Sequence, residues 1–396
     1  MINSLDFLQR VTIERPVGTE KNDILLKYME ELFINEGYSV TSLPFDCIVW
    51  EYGESILTIG AIKLSISASP FSQYFNGTGK VLFINSIEEL KEKQLKDKIL
   101  IIYGSLAQGA LQPKDFPFYY PNEHKEIISI LEIQNPKAII SLTGKSQFNG
   151  MNPFPMFEDG NFLIPTAYAS HNLLPEILEL IKNKSDIQLE IKSKNKPSKS
   201  KQLVASKKVK KSLGKIIICA HMDSKYNTKG ALDNATGVAV LMKLMESLKS
   251  IETKFDIDFV PFNSEEYFGV NGQLKYFDYI IEEKSKIKLV INIDSPCHQN
   301  SKTAISYYNL ENNIVTQLDN IIQNNKHIVK GDKWFAGDHC TFAFNEIPCL
   351  AVTSSDFYDG ALDYTHTSLD TLDTIDSELI LPTVLFLLEI IKNLNC

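Results

Sequence analysis

The stretch that most limits what this chain can fold into is Lys215 to Gly237, KIIICAHMDSKYNTKGALDNATG. Ile216 to Ala220 is a continuous apolar run with no polar face, the pattern of a parallel strand buried on both sides. It delivers His221 and Asp223 to its C-terminal end, which is the edge where open α/β sheets collect their chemistry. Three later segments repeat the arrangement. Asp256 to Ser264 reads as a strand ending at Glu265-Glu266, Lys288 to Ile293 as one ending at Asp294, and Ile347 to Thr353 as one leading toward His366. A sheet built from these strands gathers its polar residues on one edge.

The residue types gathered there suit a divalent metal. His221, Asp233, Glu266, Asp294 and His366 supply two imidazoles and three carboxylates, donors that Zn2+ takes at about 2.0–2.2 Å. Two ions roughly 3.5–4 Å apart, sharing one carboxylate, would each receive two further protein ligands and keep a position open for water. A structural zinc site would be closed.

The net charge of -9 argues against general nucleic-acid affinity, because neutralising phosphates needs a cationic surface. The lysine-rich run from Lys192 to Lys215 has no interleaved aromatic residue to stack on bases and is expected to be a solvated linker and hairpin around a strand at Gln202 to Ser206. The most apolar segment, Leu379 to Ile391, contains Pro382 and Glu389 and is too short to span a bilayer, so it reads as a buried helix capped by Ser377. Cys47, Cys219, Cys297, Cys340, Cys349 and Cys396 form no CxxC pair, and reduced thiols are expected. The amino terminus has no charged start followed by an apolar core, so a cytoplasmic location is the expectation.

From about Phe45 to Lys196 the chain has its own rhythm. Ser55 to Ile59, Ala61 to Ile66, Lys80 to Asn85, Lys98 to Tyr103 and Ala138 to Leu142 are short strand-like segments, with helices at Ile87 to Gln94, Glu126 to Gln134 and Pro175 to Asn183. Upstream, Leu25, Tyr28, Met29, Leu32 and Phe33 share one helix face, and Tyr38 to Ser42 reads as a strand.

His221-Met-Asp223, Asp233-Asn-Ala-Thr-Gly237, Glu265-Glu266, Asp294, Asp338-His339 and His366-Thr, in this order and spacing, resemble the co-catalytic zinc aminopeptidase family that includes bacterial leucyl aminopeptidases and glutamate carboxypeptidase II. The resemblance implies an α/β fold: a mixed, mostly parallel sheet flanked by helices, with an inserted smaller α+β domain. Residues 1–45 and 197–396 would form the discontinuous catalytic domain, and 46–196 an insert that looks like a protease-associated domain. It implies two Zn2+ ions per chain, held by His221, Asp233, Glu266, Asp294 and His366. Asp233 would bridge them, with a cis peptide at Asp233-Asn234.

Glu265 and Glu266 are adjacent and point to opposite sides of an extended segment, so one can bind metal while the other faces a water. By resemblance Glu266 is the ligand and Glu265 the general base. Asp223 lies on the same side as His221 and is expected to accept from its second ring nitrogen, fixing the tautomer. His124, His171, His298, His327 and His339 are read as structural. Some relatives have a tyrosine just before the last histidine, where this chain has Thr365, with Tyr364 one earlier.

The implied activity is a metallo-aminopeptidase acting on peptide substrates, with no nucleic-acid or membrane partner. Glutamate-releasing relatives clamp acidic substrates with clustered arginines, and Arg10 and Arg15 are the chain's whole supply, so neutral amino-terminal residues are favoured. Two other readings share the scaffold. A glutaminyl cyclase would match the run from His221 to Lys225, but cyclases do not usually keep the Asp-Asn-x-x-Gly form. A non-enzymatic receptor-type relative would have lost ligands, and none is missing.

Overall fold

The structure, a computed structural model, describes residues 3–146, 150–182 and 186–394. The chain divides into two units, Ile48–Pro197 and the residues on either side of it. The flanking unit is built on an eight-stranded sheet in the order Ser39–Tyr52, Ser193–Lys207, Asp256–Phe262, Lys215–His221, Ile287–Ile293, Cys349–Ser354, Thr303–Tyr308, Ile328–Lys330. The four central strands are parallel to one another, while Ser193–Lys207 and Thr303–Tyr308 run antiparallel to their inner neighbours. Lys215–His221 is buried at every position and sits between Asp256–Phe262 and Ile287–Ile293. The chain therefore leaves this strand toward one neighbour and later returns on its other side, which opens a crevice at the C-terminal edge.

Helices cover both faces because the central strands are apolar on both. Thr236–Leu248 buries ten of its residues and packs against Ile380–Leu394 and the Lys215–His221 strand. Glu20–Asn35 begins at Thr19, whose hydroxyl accepts from the Asn22 amide, and buries Leu25, Leu26, Met29 and Phe33. On the opposite face Phe262, Tyr276, Phe342 and Trp334 form a second cluster.

The unit Ile48–Pro197 contains a closed barrel of seven strands: Ser55–Ile59, Ile62–Ala68, Thr166–Ser170, Ala138–Thr143, Lys98–Ile102, Phe75–Ile84 and Asp186–Ile191. Its helices are Ile87–Glu92, Asn122–Gln134 and Leu174–Ile181. Leu100, Ile102, Ile128, Leu131 and Ile139 lie in its core.

Three local expectations change. The lysine-rich run is largely strand, Ser193–Lys207, exposed or half-buried from Lys194 to Lys201 before a fully buried stretch at Gln202–Ser206; the lysines of the exposed half read as loop composition. The strand expected at Tyr38 to Ser42 extends from Ser39 to Tyr52, because Ser193–Lys207 pairs beside it. The final helix is capped by Asp376, whose side chain accepts from the Glu378 amide, and a short 3-10 turn at Ser377–Leu379 precedes Ile380–Leu394. Pro382 falls in the first turn of that helix, where no intrahelical hydrogen bond is lost. Cys47, Cys219, Cys297, Cys340 and Cys349 are free and buried; Cys396 and the expected helix end at Asn183 lie outside the described residues. No described helix is long and apolar enough to cross a membrane.

At the edge of the sheet remote from His221, Lys215 is buried, with its ammonium 2.7 Å from Asp258 Oδ2 and 2.5 Å from Glu283 Oε2. Asp258 also accepts from Ser206 Oγ at 2.6 Å and from the Tyr276 hydroxyl at 3.3 Å. Removing the cation leaves a buried carboxylate without its counter-charge, so Lys215→Met is expected to lower stability by about 3–5 kcal/mol. Urea unfolding measures this, and the metal content of the folded variant should be unchanged.

Candidate metal centre

His221 is the last residue of the Lys215–His221 strand, and Asp294 follows the Ile287–Ile293 strand. Asp233 lies in the segment that leads into helix Thr236–Leu248, and the Asp233–Asn234 peptide is cis. Glu265 and Glu266 follow the Asp256–Phe262 strand, and His366 stands in the loop beyond Cys349–Ser354. The structure gathers these residues into two groups that share Asp233: His221, Asp233 and Asp294, and Asp233, Glu266 and His366. Within each group the ligand atoms lie within 4.8 Å of one another.

Asp233 divides its oxygens between the groups. Its Oδ1 is 2.9 Å from His221 Nε2, and its Oδ2 is 3.0 Å from His366 Nε2. His221 Nε2 is also 3.6 Å from Asp294 Oδ1, and His366 Nε2 is 2.9 Å from Glu266 Oε1. Glu266 Oε1 is buried and has no hydrogen-bond partner among the described residues despite that short distance. A buried carboxylate oxygen without a hydrogen bond, facing the same point as an imidazole nitrogen, is a donor pair disposed to share a metal ion. The donors are nitrogen and oxygen, the types that zinc accepts. The residues therefore fit a pair of divalent ions.

The charges respond strongly to this crowding. Burial pulls the His221 imidazolium down, but the Asp233 and Asp294 carboxylates outweigh it and raise its pKa well above the usual range. His366 behaves alike: burial opposes the charge, Glu266 and Asp233 restore it, and the pKa rises to about 10. For Glu266, burial raises the pKa, but the charges of His366 and Lys225 bring the net shift below the ordinary value. Glu265, half-buried and outside both groups, is pushed well up by burial and, against the pull of His221, by the Glu266, Asp338 and Asp294 carboxylates. A carboxylate with raised proton affinity, adjacent to but not among the ligand atoms, is suited to take a proton.

Asp223 is placed differently from the expectation. His221 Nδ1 faces the backbone carbonyl of Asp223 at 3.3 Å, while the Asp223 carboxylate is 3.8 Å away. That carboxylate instead accepts from the backbone N–H groups of Glu265, at 3.2 Å, and Glu266, at 3.0 Å. The imidazole still has an acceptor on Nδ1, and the Asp223 side chain holds the glutamate pair in place. Its buried carboxyl rises to about 6, chiefly through desolvation.

The remaining histidines that have described side-chain partners sit in ordinary polar contacts. His339 is buried, with Nε2 3.0 Å from the Trp334 carbonyl, and burial lowers its pKa to about 4. His298 Nδ1 is 2.7 Å from Asp356, His171 Nδ1 is 3.3 Å from the Thr143 carbonyl, and His124 Nδ1 accepts from the Gln112 amide.

Several supporting residues were not singled out from sequence. Arg15, given no role at the site from sequence, is fully enclosed and donates to the carbonyls of Ile13, Met222, Lys229 and Gly230 at 2.6–3.0 Å. Burial lowers its pKa, and the charges of Asp370, Asp223, Asp233 and Glu266 oppose that shift. Asp370, four residues beyond His366, accepts from the N–H groups of Leu232 at 2.7 Å and Asp233 at 3.0 Å. The signals available for Arg15 were the rarity of arginine and its place in the Arg15-Pro-Val-Gly18 segment, which resembles the Arg-Pro-x-Gly opening of the family's peptidase domain. Asp370 had none, since its partners are backbone groups far away in sequence.

Asn234 ties the two halves of the site together. It donates from Nδ2 to the Ile293 carbonyl at 2.8 Å and accepts on Oδ1 from the amides of Gly237 and Ser295 at 3.0 and 3.1 Å. A Cβ on Gly237 would meet the Asn234 side chain and the Ile293 carbonyl at distances no real contact shows.

Residues 202–390 match the family profile described as Peptidase family M28. Aminopeptidase YwaD of Bacillus subtilis (strain 168) is 34% identical over 71 residues, a match that spans 18% of this chain and 15% of that protein. The fold is similar to that of an aminopeptidase from Aneurinibacillus sp. strain AM-1, with a TM-score of 0.78 at 21% identity over 99% of this chain and 93% of that one. It is also similar to BSAP, a zinc aminopeptidase from Bacillus subtilis, with a TM-score of 0.73 at 17% identity over 99% and 94%. A peptidase M28 precursor from Shewanella amazonensis SB2B gives a TM-score of 0.71 at 19% identity, over 98% and 92%.

Gly237→Ala tests the geometry of the site. Overpacking of this kind is expected to cost about 1–3 kcal/mol. Because the strain falls on the Asn234 bridge between the Asp233 and Asp294 segments, bound zinc should drop along with thermal stability. Metal analysis and thermal unfolding of the variant measure both.

Proposed function

With residues 202–390 matching the profile of Peptidase family M28, we propose that the chain is a zinc-dependent aminopeptidase, hydrolysing peptide bonds at the amino-terminal end of peptide substrates. The observation that carries this reading is the division of Asp233, whose two oxygens face His221 and His366 separately, with Asp294 and Glu266 completing the two groups and Glu265 left outside them. The relatives named aminopeptidases, and the one named a zinc aminopeptidase, support carrying the activity and the metal to this chain.

On this reading two ions would be held, one by His221 and Asp294 and the other by Glu266 and His366, with Asp233 available to both. Zinc at such a site supplies Lewis acidity, acidifying a water and polarising a carbonyl. The protein's own residues do the rest. Glu265 takes a proton from the attacking water and returns it to the leaving amine. Glu265 and Glu266 lie in a turn beyond the strand rather than in the extended segment expected, and Asp223 holds that turn through both amides, which keeps the base and the ligand in place. Asp370 and Arg15 hold the backbone that leads into Asp233. The inserted unit is read as a protease-associated-like domain on the order of its strands and helices.

Zinc analysis after gentle dialysis should give two ions per chain. Glu265→Gln should fold, retain both ions and lose roughly 10^2 to 10^4 in rate, since the amide cannot take a proton. Glu266→Gln should bind zinc more weakly, because a neutral amide is a poorer ligand. Kinetics on an amino-acid nitroanilide panel, run beside metal analysis of both variants, separate the two roles. Zinc lost from Glu265→Gln and kept by Glu266→Gln would reverse them.

A further inference from the structure

The loop after His221 places Lys225 against the same glutamate that faces His366. Lys225 Nζ is 3.4 Å from Glu266 Oε2 and donates to the Glu266 backbone carbonyl at 3.2 Å. The Glu266 carboxylate is thus pulled in two directions. Its Oε1 points at His366 Nε2, 2.9 Å away, without a hydrogen bond of its own, while Oε2 is turned to the ammonium. Lys225 is largely enclosed, with 19% of its side chain exposed against 4% for Glu266, so the pairing is only partly screened by water.

We propose that Lys225 is a positioning residue that withholds one oxygen of Glu266 from the metal, so that Glu266 ligates through Oε1 alone and the ion it shares with His366 keeps a position free for substrate or water. The inference rests on the two-ion reading above. Its physical basis is competition. A carboxylate beside a divalent ion binds through one oxygen or through both, and an ammonium held on the second oxygen favours one. The ammonium cannot drift away from that oxygen, since the backbone carbonyl of the same glutamate also holds it. Asp223 in turn fixes that backbone through the Glu266 amide. The residues at positions 221, 223 and 225 alternate along one segment, so a single turn of chain provides an imidazole ligand, a clamp on the glutamate backbone and a clamp on the glutamate head.

The sign of the effect separates this role from ordinary support. A residue that merely orients a ligand weakens metal binding when it is removed, typically about 10- to 100-fold. Lys225→Met should do the opposite, because it removes a positive charge beside a cation and frees Glu266 Oε2 to coordinate. The test loads wild type, Lys225→Met and Lys225→Arg with Zn2+ and compares them by chelator competition and by X-ray absorption at the zinc edge. In Lys225→Met one of the two ions should bind about tenfold tighter, the order expected for loss of a unit charge at this range. The mean coordination number should rise, and the second ion should be unchanged. Lys225→Arg, which keeps the charge, should resemble wild type. Should Lys225→Met fail to fold, Lys225→Gln takes its place with the same expectation. Weaker binding with an unchanged coordination number would overturn the proposal in favour of simple support, and identity with wild type in both measurements would overturn it outright. A wild-type chain that takes up fewer than two ions overturns the two-ion reading and this inference with it.

Discussion

The site crowds Asp223, Asp233, Glu266, Asp294, Asp338 and Asp370 together with half-buried Glu265 at one edge of one sheet. That concentration of carboxyl groups in a low-dielectric setting is the constraint to which the rest of the catalytic unit answers. Without compensating charge it would disperse, or its members would take up protons. Compensation comes in three forms. The two imidazoles face carboxylates, Arg15 and Lys225 stand as fixed cations, and backbone amides are directed at Asp223 and Asp370. Under the proposed two-ion reading, divalent ions shared through Asp233 would add a fourth.

Charge balance also explains why the support is layered. Arg15 does not touch a carboxylate through its described hydrogen bonds. It holds four carbonyls in place, and their chain segments carry His221, Asp223 and Asp233. A planar guanidinium with several donors suits such a task, because it satisfies carbonyls in diverging directions with one rigid group. Asp370 does the converse with two N–H groups, and Asn234 joins the approach to the Thr236–Leu248 helix to the end of the Ile287–Ile293 strand. Backbone held in this way keeps the side-chain donors where they are before any ion arrives, which is the requirement for a precise metal site.

The comparisons fit this division of labour. Whole-chain similarity in fold persists at about a fifth identity, while the family profile spans residues 202–390, the part that holds the site apart from the Arg15 segment. The fold is kept by burial, which many apolar sequences satisfy. A cluster of facing donors tolerates far fewer residue types at each position.

What the sequence alone determined is the set of strand ends. Continuous apolar runs closed by His221, by Glu265-Glu266 and by Asp294 say that chemistry collects at one edge, since a doubly buried strand has no other place for such residues. The tertiary structure decided what each polar group touches. Asp223 was expected on an imidazole nitrogen and stands on two backbone amides, because the Glu265-Glu266 turn comes close to it only after the strands pair. Apart from the Arg15 contact with Ile13, Arg15, Asp370 and Lys225 act on residues 41 to 215 positions away along the chain, and no local pattern encodes a partner at that range. The lysine-rich run behaved alike, since its strand exists through pairing with neighbours rather than through its own composition. Periodicity along the chain reports which face is buried; it carries no information on which distant backbone group will fill the last hydrogen bond.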